Sequence, residues 1–347
     1  MKTLSNITQQ ESFPGLSFFL AVFSMLSLVV VSCNFQSGSE SDAIRKKYSL
    51  NKNWDFSLVA RPHTPAIQVD LPHTWNATDT LNEEGAYLRS TGIYRKELIL
   101  DKKFIGKRLF LRFEGSNQVT DVYVNSLHID RHQGGYTGFT VEITDHVKLS
   151  GAEPNMLEVR VNNEFNKQIP PLSADFTFYG GIYRDVWLVV SDPIHVTLLD
   201  FGSEGLYIST PGVSEKEGRV EIRGSIENQS GTQEELLLVC RITKDREEEQ
   251  CRTESQITIN SYGQTNFLLK PPPLKHPKLW SPDSPSMYFM EVALYKSGKL
   301  IDRVESSFGF RFFSFHPENG FMLNGRSLKL VGTNRHQDYK GLGNALS

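Results

Sequence analysis

Near its C-terminal end the 347-residue chain gathers Asn334, Arg335, His336 and Asp338 in one short stretch, bounded by Gly332, Gly341 and Gly343. An amide, a guanidinium, an imidazole and a carboxylate are donors and acceptors suited to a polyhydroxylated ligand, and glycines let the backbone approach it closely. The plain alternative is a structural strand end. What must deliver these residues is a hairpin: apolar runs at Gly320–Leu323 and Ser327–Val331 flank Asn324-Gly325. Asn-Gly between such runs signals a two-residue turn, because both residues tolerate positive φ.

The elements upstream read as strands. Leu109, Leu111 and Phe113 alternate with Phe110, Arg112 and Glu114; Val122 and Val124 with Asp121, Tyr123 and Asn125; Leu157, Val159 and Val161 with Glu158, Arg160 and Asn162. A period of two with short Gly, Asn and Asp breaks describes half-buried antiparallel strands, and no helical stripe is sustained. Ser191-Asp192-Pro193 is a stop signal, after which a second alternating set begins: Val220, Ile222 and Ile226, then Met290, Val292 and Leu294. The proline-dense stretch Lys270 to Tyr288 excludes central strands there. The fold class is all-β, two sandwiches in tandem, the second with the strand spacing of an immunoglobulin-like domain.

A formal net charge of -3 with interspersed signs leaves no footprint for nucleic acid. Phe, Trp and Tyr make up 11% of residues, which serves either a sandwich core or a sugar-stacking surface. His73, His128 and His132 have no metal-site spacing and read as structural. The acidic and basic run around Lys244 to Glu249 reads as a solvated hairpin tip. A tip centred between Asp245 and Arg246 sets Cys240 opposite Cys251, at a cross-strand separation that permits a disulfide in an oxidising compartment.

At the other end an apolar run from Leu16 to Val31 precedes Ser32-Cys33. This pattern resembles a bacterial lipoprotein signal, in which Cys33 is lipidated and becomes the mature N-terminus; a retained anchor helix is the competing reading. The Ser-, Gly- and acid-rich residues that follow read as a flexible tether. A protein so built is lipid-anchored in a bacterial cell envelope, periplasmic or at the cell surface.

Several strings resemble glycoside hydrolase family 2, the β-galactosidase, β-glucuronidase and β-mannosidase group. In chain order they are VDLPHTWN (Val69 to Asn76), TGIYRKEL (Thr91 to Leu98), LRFEG (Leu111 to Gly115), DVYVNS (Asp121 to Ser126), HQGGYTGF (His132 to Phe139) and DFTFYGGIYRDVWL (Asp175 to Leu188). LWSPDSPSMY and Phe308 to Arg311 resemble the second domain of that family, and Gly332 to Asp338 the end of the first strand of its catalytic barrel. Ser126 departs from the family, where Gly is common, and is expected in a loosened turn. The resemblance implies a signal peptide at 1–33, a tether at 34–49 and a jelly-roll-like sugar-binding sandwich at 50–191. An immunoglobulin-like sandwich at 192–311 and the start of a truncated (β/α)8 barrel at 312–347 follow.

The resemblance also implies the site. Asp175, before Gly181-Ile182-Tyr183-Arg184, holds the place of an aspartate that reaches terminal-sugar hydroxyls; on its residues alone it would cap a loop or pair with Arg184. Arg184 itself is expected to brace the sandwich. Arg335 and His336 match positions lining the terminal-sugar subsite, and Asp338 is a weaker member of the set. Arg335 fits the galactosidase side, since the glucuronidase type commonly carries Lys there. The two glutamates that retaining hydrolysis requires lie on later barrel strands and are absent, so the chain alone is expected to be inactive. No cofactor is implied within it, although Mg or Na accompanies full-length members. The expected partner is an oligosaccharide or polysaccharide with a terminal β-linked sugar, and homo-oligomers are compatible with the family. A stand-alone, lipid-anchored carbohydrate-binding protein is the alternative.

Overall fold

The computed structural model describes residues 45–79, 87–174 and 176–346. The expected leader with Cys33, most of the expected tether and Asp175 lie outside the described residues.

The first sandwich packs a six-stranded sheet on a four-stranded one, every pairing antiparallel. The larger runs β3 (Ile67–Val69), β2 (Trp54–Leu58), β4 (Thr91–Leu98), β9 (Asn155–Asn162), β6 (Val119–Val124), β7 (Leu127–Gln133). The smaller runs β1 (Lys46–Ser49), β10 (Val186–Ser191), β5 (Arg108–Phe113), β8 (Phe139–Glu142). The alternation does what its period dictates: Leu157, Val159 and Val161 enter the core with Trp54, Tyr94, Leu111 and Phe113, while Glu158, Arg160 and Asn162 face out. Two corrections follow. The tether does not extend to residue 49, because Lys46–Ser49 pair with Val190 to Trp187 as an edge strand. Ser126 is in no loosened turn: Val124 pairs directly with Leu127, and Asn125 and Ser126 take φ values of 50° and 70°.

The second sandwich is built around β13 (Glu217–Asn228), which pairs with β11 (Ile194–Val196), β12 (Leu206–Val213), β16 (Gly263–Leu269) and β17 (Leu274–Lys275). Opposite lies the sheet β15 (Glu248–Ile259), β14 (Glu234–Lys244), β18 (Tyr288–Lys296), β19 (Lys299–Phe308). Ile222, Leu238, Ile242, Leu294 and Phe310 are fully buried between the sheets. The proline-dense stretch contributes only the two-residue β17 to the sheets.

The sandwiches share a seam. Phe110 and Val189, outward-facing by alternation, are buried against Leu198, so β5 and β10 are covered on both faces there. Arg45 binds Asp302 at 3.1 and 2.5 Å and the Val196 carbonyl at 2.7 Å, while Asp302 also accepts the Val196 N–H at 2.8 Å. Both side chains are nearly sealed from solvent, 5% and 0% exposed.

Beyond Phe310 a small sheet forms from β20 (Phe313–His316), β21 (Gly320–Leu323) and β22 (Arg326–Ser327). Asn324 and Gly325 make the expected turn, at φ 51° and 76°. Asn324 also clamps the hairpin to the second sandwich, donating to the Trp280 carbonyl at 3.0 Å and accepting from the Phe312 N–H at 3.1 Å. The strand expected at Ser327–Val331 is shorter than its apolar pattern suggested: pairing stops at Ser327, and Leu330 and Val331 are exposed.

Candidate functional site

The loop Phe178–Gly181 at one end of the first sandwich is held by buried side chains. Asn76 donates to the Phe178 carbonyl at 3.3 Å and accepts the Gly180 N–H at 3.0 Å. Asn163 donates to the same carbonyl at 2.9 Å, Asn117 to that of Tyr179 at 2.6 Å, and Thr74 to that of Gly180 at 2.7 Å. Buried polar side chains satisfied in this way, with a single β-bridge from Gly181 to Asn117, fix a loop that belongs to no strand of the two sheets. The Trp75 ring lies so close to Gly180 that any side chain there would overlap it. Above, the Arg89 guanidinium sits 4.5 Å over the Phe178 ring.

The C-terminal segment closes onto this loop. Tyr339 and Gly343 exchange backbone hydrogen bonds of 3.1 and 2.7 Å, and Ala345 is buried. Gly343, at φ 59°, lies against Tyr179, where a Cβ would stand 2.6 Å from the ring. His336 is thereby carried beside Phe176, with ring centroids 6.0 Å apart and an edge-on angle of 72°. Its Nδ1 is 3.8 Å from Asp338 Oδ2. Of the residues expected in the site, the structure therefore brings His336 and Asp338 together, next to the neighbour of Asp175. Arg335 is exposed on the same segment. An exposed imidazole and carboxylate beside the half-buried Phe176 ring, with a guanidinium exposed on the same segment, can bind hydroxyls and meet the apolar face of a sugar.

The other singled-out residues are structural in their contacts. His73 Nδ1 bonds the Tyr94 hydroxyl at 2.8 Å, and burial pushes its pKa down to about 4. His128 bonds Asp121 at 2.9 Å, and His132 stacks on Phe139 at 4.2 Å. Arg184 lies over the Tyr183 ring, 5.9 Å from its centroid. The expected disulfide is absent. Cys240 faces Thr253 and Cys251 faces Ile242, because the tip is a three-residue loop, Asp245 to Glu247, which moves the pairing by one residue, and a bulge between Ile242 and Thr243 moves it by one more. Both cysteines are free, with pKa values pushed up by burial to about 12 and about 11. Among the described residues no group of three or more His, Cys, Asp or Glu could hold a metal ion.

Sequence reasoning did not single out Asn76, Asn117 and Asn163; Asn117 and Asn163 flank the alternating runs of β6 and β9, where a side-chain amide can replace a strand partner, while Asn76 lies in a turn. That flanking position is the signal that could have found Asn117 and Asn163.

Residues 65–192 match the family model described as "Glycosyl hydrolases family 2, sugar binding domain", and residues 204–311 match "Glycosyl hydrolases family 2". A β-glucuronidase of Bacteroides fragilis is 40% identical over 330 residues, which is 94% of this chain and 45% of that protein. A β-galactosidase of Bacteroides ovatus is 30% identical, across 90% of this chain and 37% of its own length. The crystal structure of a Bacteroides uniformis β-glucuronidase superposes with a TM-score of 0.82 at 34% identity, covering 87% of this chain and 37% of that one. The chain thus spans less than half the length of these relatives.

Proposed function

The chain belongs to glycoside hydrolase family 2, and on that premise we propose that it supplies the sugar-binding and scaffolding portion of an enzyme that removes terminal β-linked sugars from oligosaccharides or polysaccharides. The observation that carries this reading is the closure of the C-terminal segment on Tyr179, which carries His336 to Phe176. In this role Arg335 and His336 donate to hydroxyls of the terminal sugar, Asp338 orients His336, and Asp175 accepts from a neighbouring hydroxyl pair. Hydrolysis itself needs a carboxylate pair about 5 Å apart, one acid/base and one nucleophile, supplied by residues outside this chain.

Two sugars compete. Arg335 supports a β-galactoside, because a forked guanidinium suits paired hydroxyls; the name of the 40% identical relative supports a β-glucuronide, whose carboxylate a guanidinium also meets. The test assays the complete product of the reading frame against aryl β-galactoside and aryl β-glucuronide side by side. Turnover of either, falling about 10²-fold in kcat/KM on His336→Ala, is the expected result. Turnover of neither, or an unaltered rate in His336→Ala, overturns the site. The chain of residues 1–347 alone is expected to turn over neither substrate. Lipidation at Cys33 and a place in the cell envelope belong to the same proposal, supported by the run Leu16 to Cys33. Metabolic labelling with a fatty acid, lost in Cys33→Ser, checks it.

A further inference from the structure

The outer face of the six-stranded sheet bears an open groove of about 510 Å³. Strand register arranges the residues of this face in rows, with Glu158 and Arg95 beside the groove. Tyr123, Glu158 and Arg95 are cross-strand neighbours, then Asp121, Arg160 and Ile93, then Val119, Asn162 and Thr91. A sheet face turned to water needs only scattered charge, whereas here the polar groups are ordered by one another. Glu158 holds Arg95 at 2.6 Å and Arg160 at 2.7 Å; Asp121 holds Arg131 through two hydrogen bonds of 2.7 and 3.0 Å. Arg160 lies 4.6 Å over the Tyr123 ring. Asn162 spans Thr91 at 3.0 Å and Glu164 at 3.1 Å, and Phe165, 57% exposed, stands on the rim.

The chemistry of the occupant follows from what is balanced. Arg131 and Arg160 line the groove and are matched in charge by Asp121 and Glu164, Arg95 and Glu158 pair beside it, and no lysine lines it. With no surplus of either sign there is no attraction for a polyanion. Ile93 and Val119 lie in the floor, but each shares its row with polar neighbours, Asp121 and Arg160 or Asn162 and Thr91, so they do not form the contiguous apolar centre of a protein interface. Guanidiniums held by part of their donors keep the rest aimed outward, and the carboxylates and Asn162 place acceptors between them. Fixed, charge-neutral, planar hydrogen-bonding groups beside an exposed aromatic ring match the alternating hydroxyls and apolar faces of sugar rings. We propose that this groove is a second carbohydrate site, which binds an internal segment of a neutral polysaccharide. It shares no residue with the C-terminal segment, so it stands whether or not His336 lines a subsite.

Native gel electrophoresis of the full chain through gels containing galactan, arabinogalactan or xyloglucan tests it. Retardation by at least one of these neutral polymers is expected, with the apparent dissociation constant raised at least tenfold in Arg160→Ala and in Phe165→Ala. Phe165 is exposed, so its variant retains the fold and keeps the test informative should the Arg160 variant unfold. No retardation in any of the three gels overturns the proposal. So does retardation that Phe165→Ala leaves unchanged, or equal retardation by dextran sulfate, which would mark a polyanion site.

Discussion

Inside the first sandwich the His73 imidazole is kept neutral by burial, and its pKa falls to about 4 from an ordinary value near 6.5. Between those values the unfolded chain binds this proton and the folded chain does not. Unfolding free energy therefore rises with pH across the window and falls on acidification, by about 3 kcal/mol in all. His73→Asn removes the titration and keeps a partner for the Tyr94 hydroxyl. Its urea midpoint is expected to drop less than that of the parent between pH 7 and pH 4.5; equal drops overturn the assignment. His195, also depressed by burial, is present in both proteins and cancels. Ser126 poses a simpler residue problem. At φ 70° its Cβ crowds its own backbone, so Ser126→Gly is expected to raise stability by about 1 kcal/mol, read from chemical denaturation. The unusual residue at this turn was legible in the sequence. Its consequence was not, because a loosened loop and a strained two-residue turn have the same letters.

At the scale of elements, the hairpin of β14 and β15 shows where reading stops. Its charged tip was visible, and Asp245 and Arg246 do turn there, at φ 52° and 66°. Symmetric counting back from a tip between Asp245 and Arg246 placed Cys240 against Cys251; the three-residue loop moved the pairing by one residue and the bulge by another, which leaves the two cysteines diagonal. Bulges leave no composition signal in a run such as EEEQCRTE. Alkylation of the unreduced, denatured chain followed by mass measurement is expected to label both Cys240 and Cys251. The loop Phe178–Gly181 was legible only in part: its glycines and aromatics were seen, its supporting asparagines were not. Gly180→Ala forces the Trp75 ring aside and is expected to cost about 1 to 3 kcal/mol. Under the proposed function the same change is expected to raise KM, because Phe176 and His336 lose a fixed floor.

At the scale of the whole molecule, the two sandwiches were legible because period-two alternation is a local property. The seam between them was not. Phe110 and Val189 look like outward residues, and only the arrival of Leu198 from the second sandwich buries them. Arg45, in a stretch that read as tether, is joined to a residue 257 positions away. Asp302→Ala leaves the Arg45 guanidinium buried with its counter-ion gone and is expected to cost about 3 to 5 kcal/mol, seen as an early unfolding transition in guanidinium chloride.

The attachment of Arg45 also decides how the molecule bears load. Tension entering from the N-terminal side is handed at once to the junction of both sandwiches through Asp302 and the Val196 carbonyl, instead of peeling β1 from its sheet edge. A pulling experiment would accordingly meet its first mechanical resistance at that junction, and Asp302→Ala would shift the first rupture to lower force.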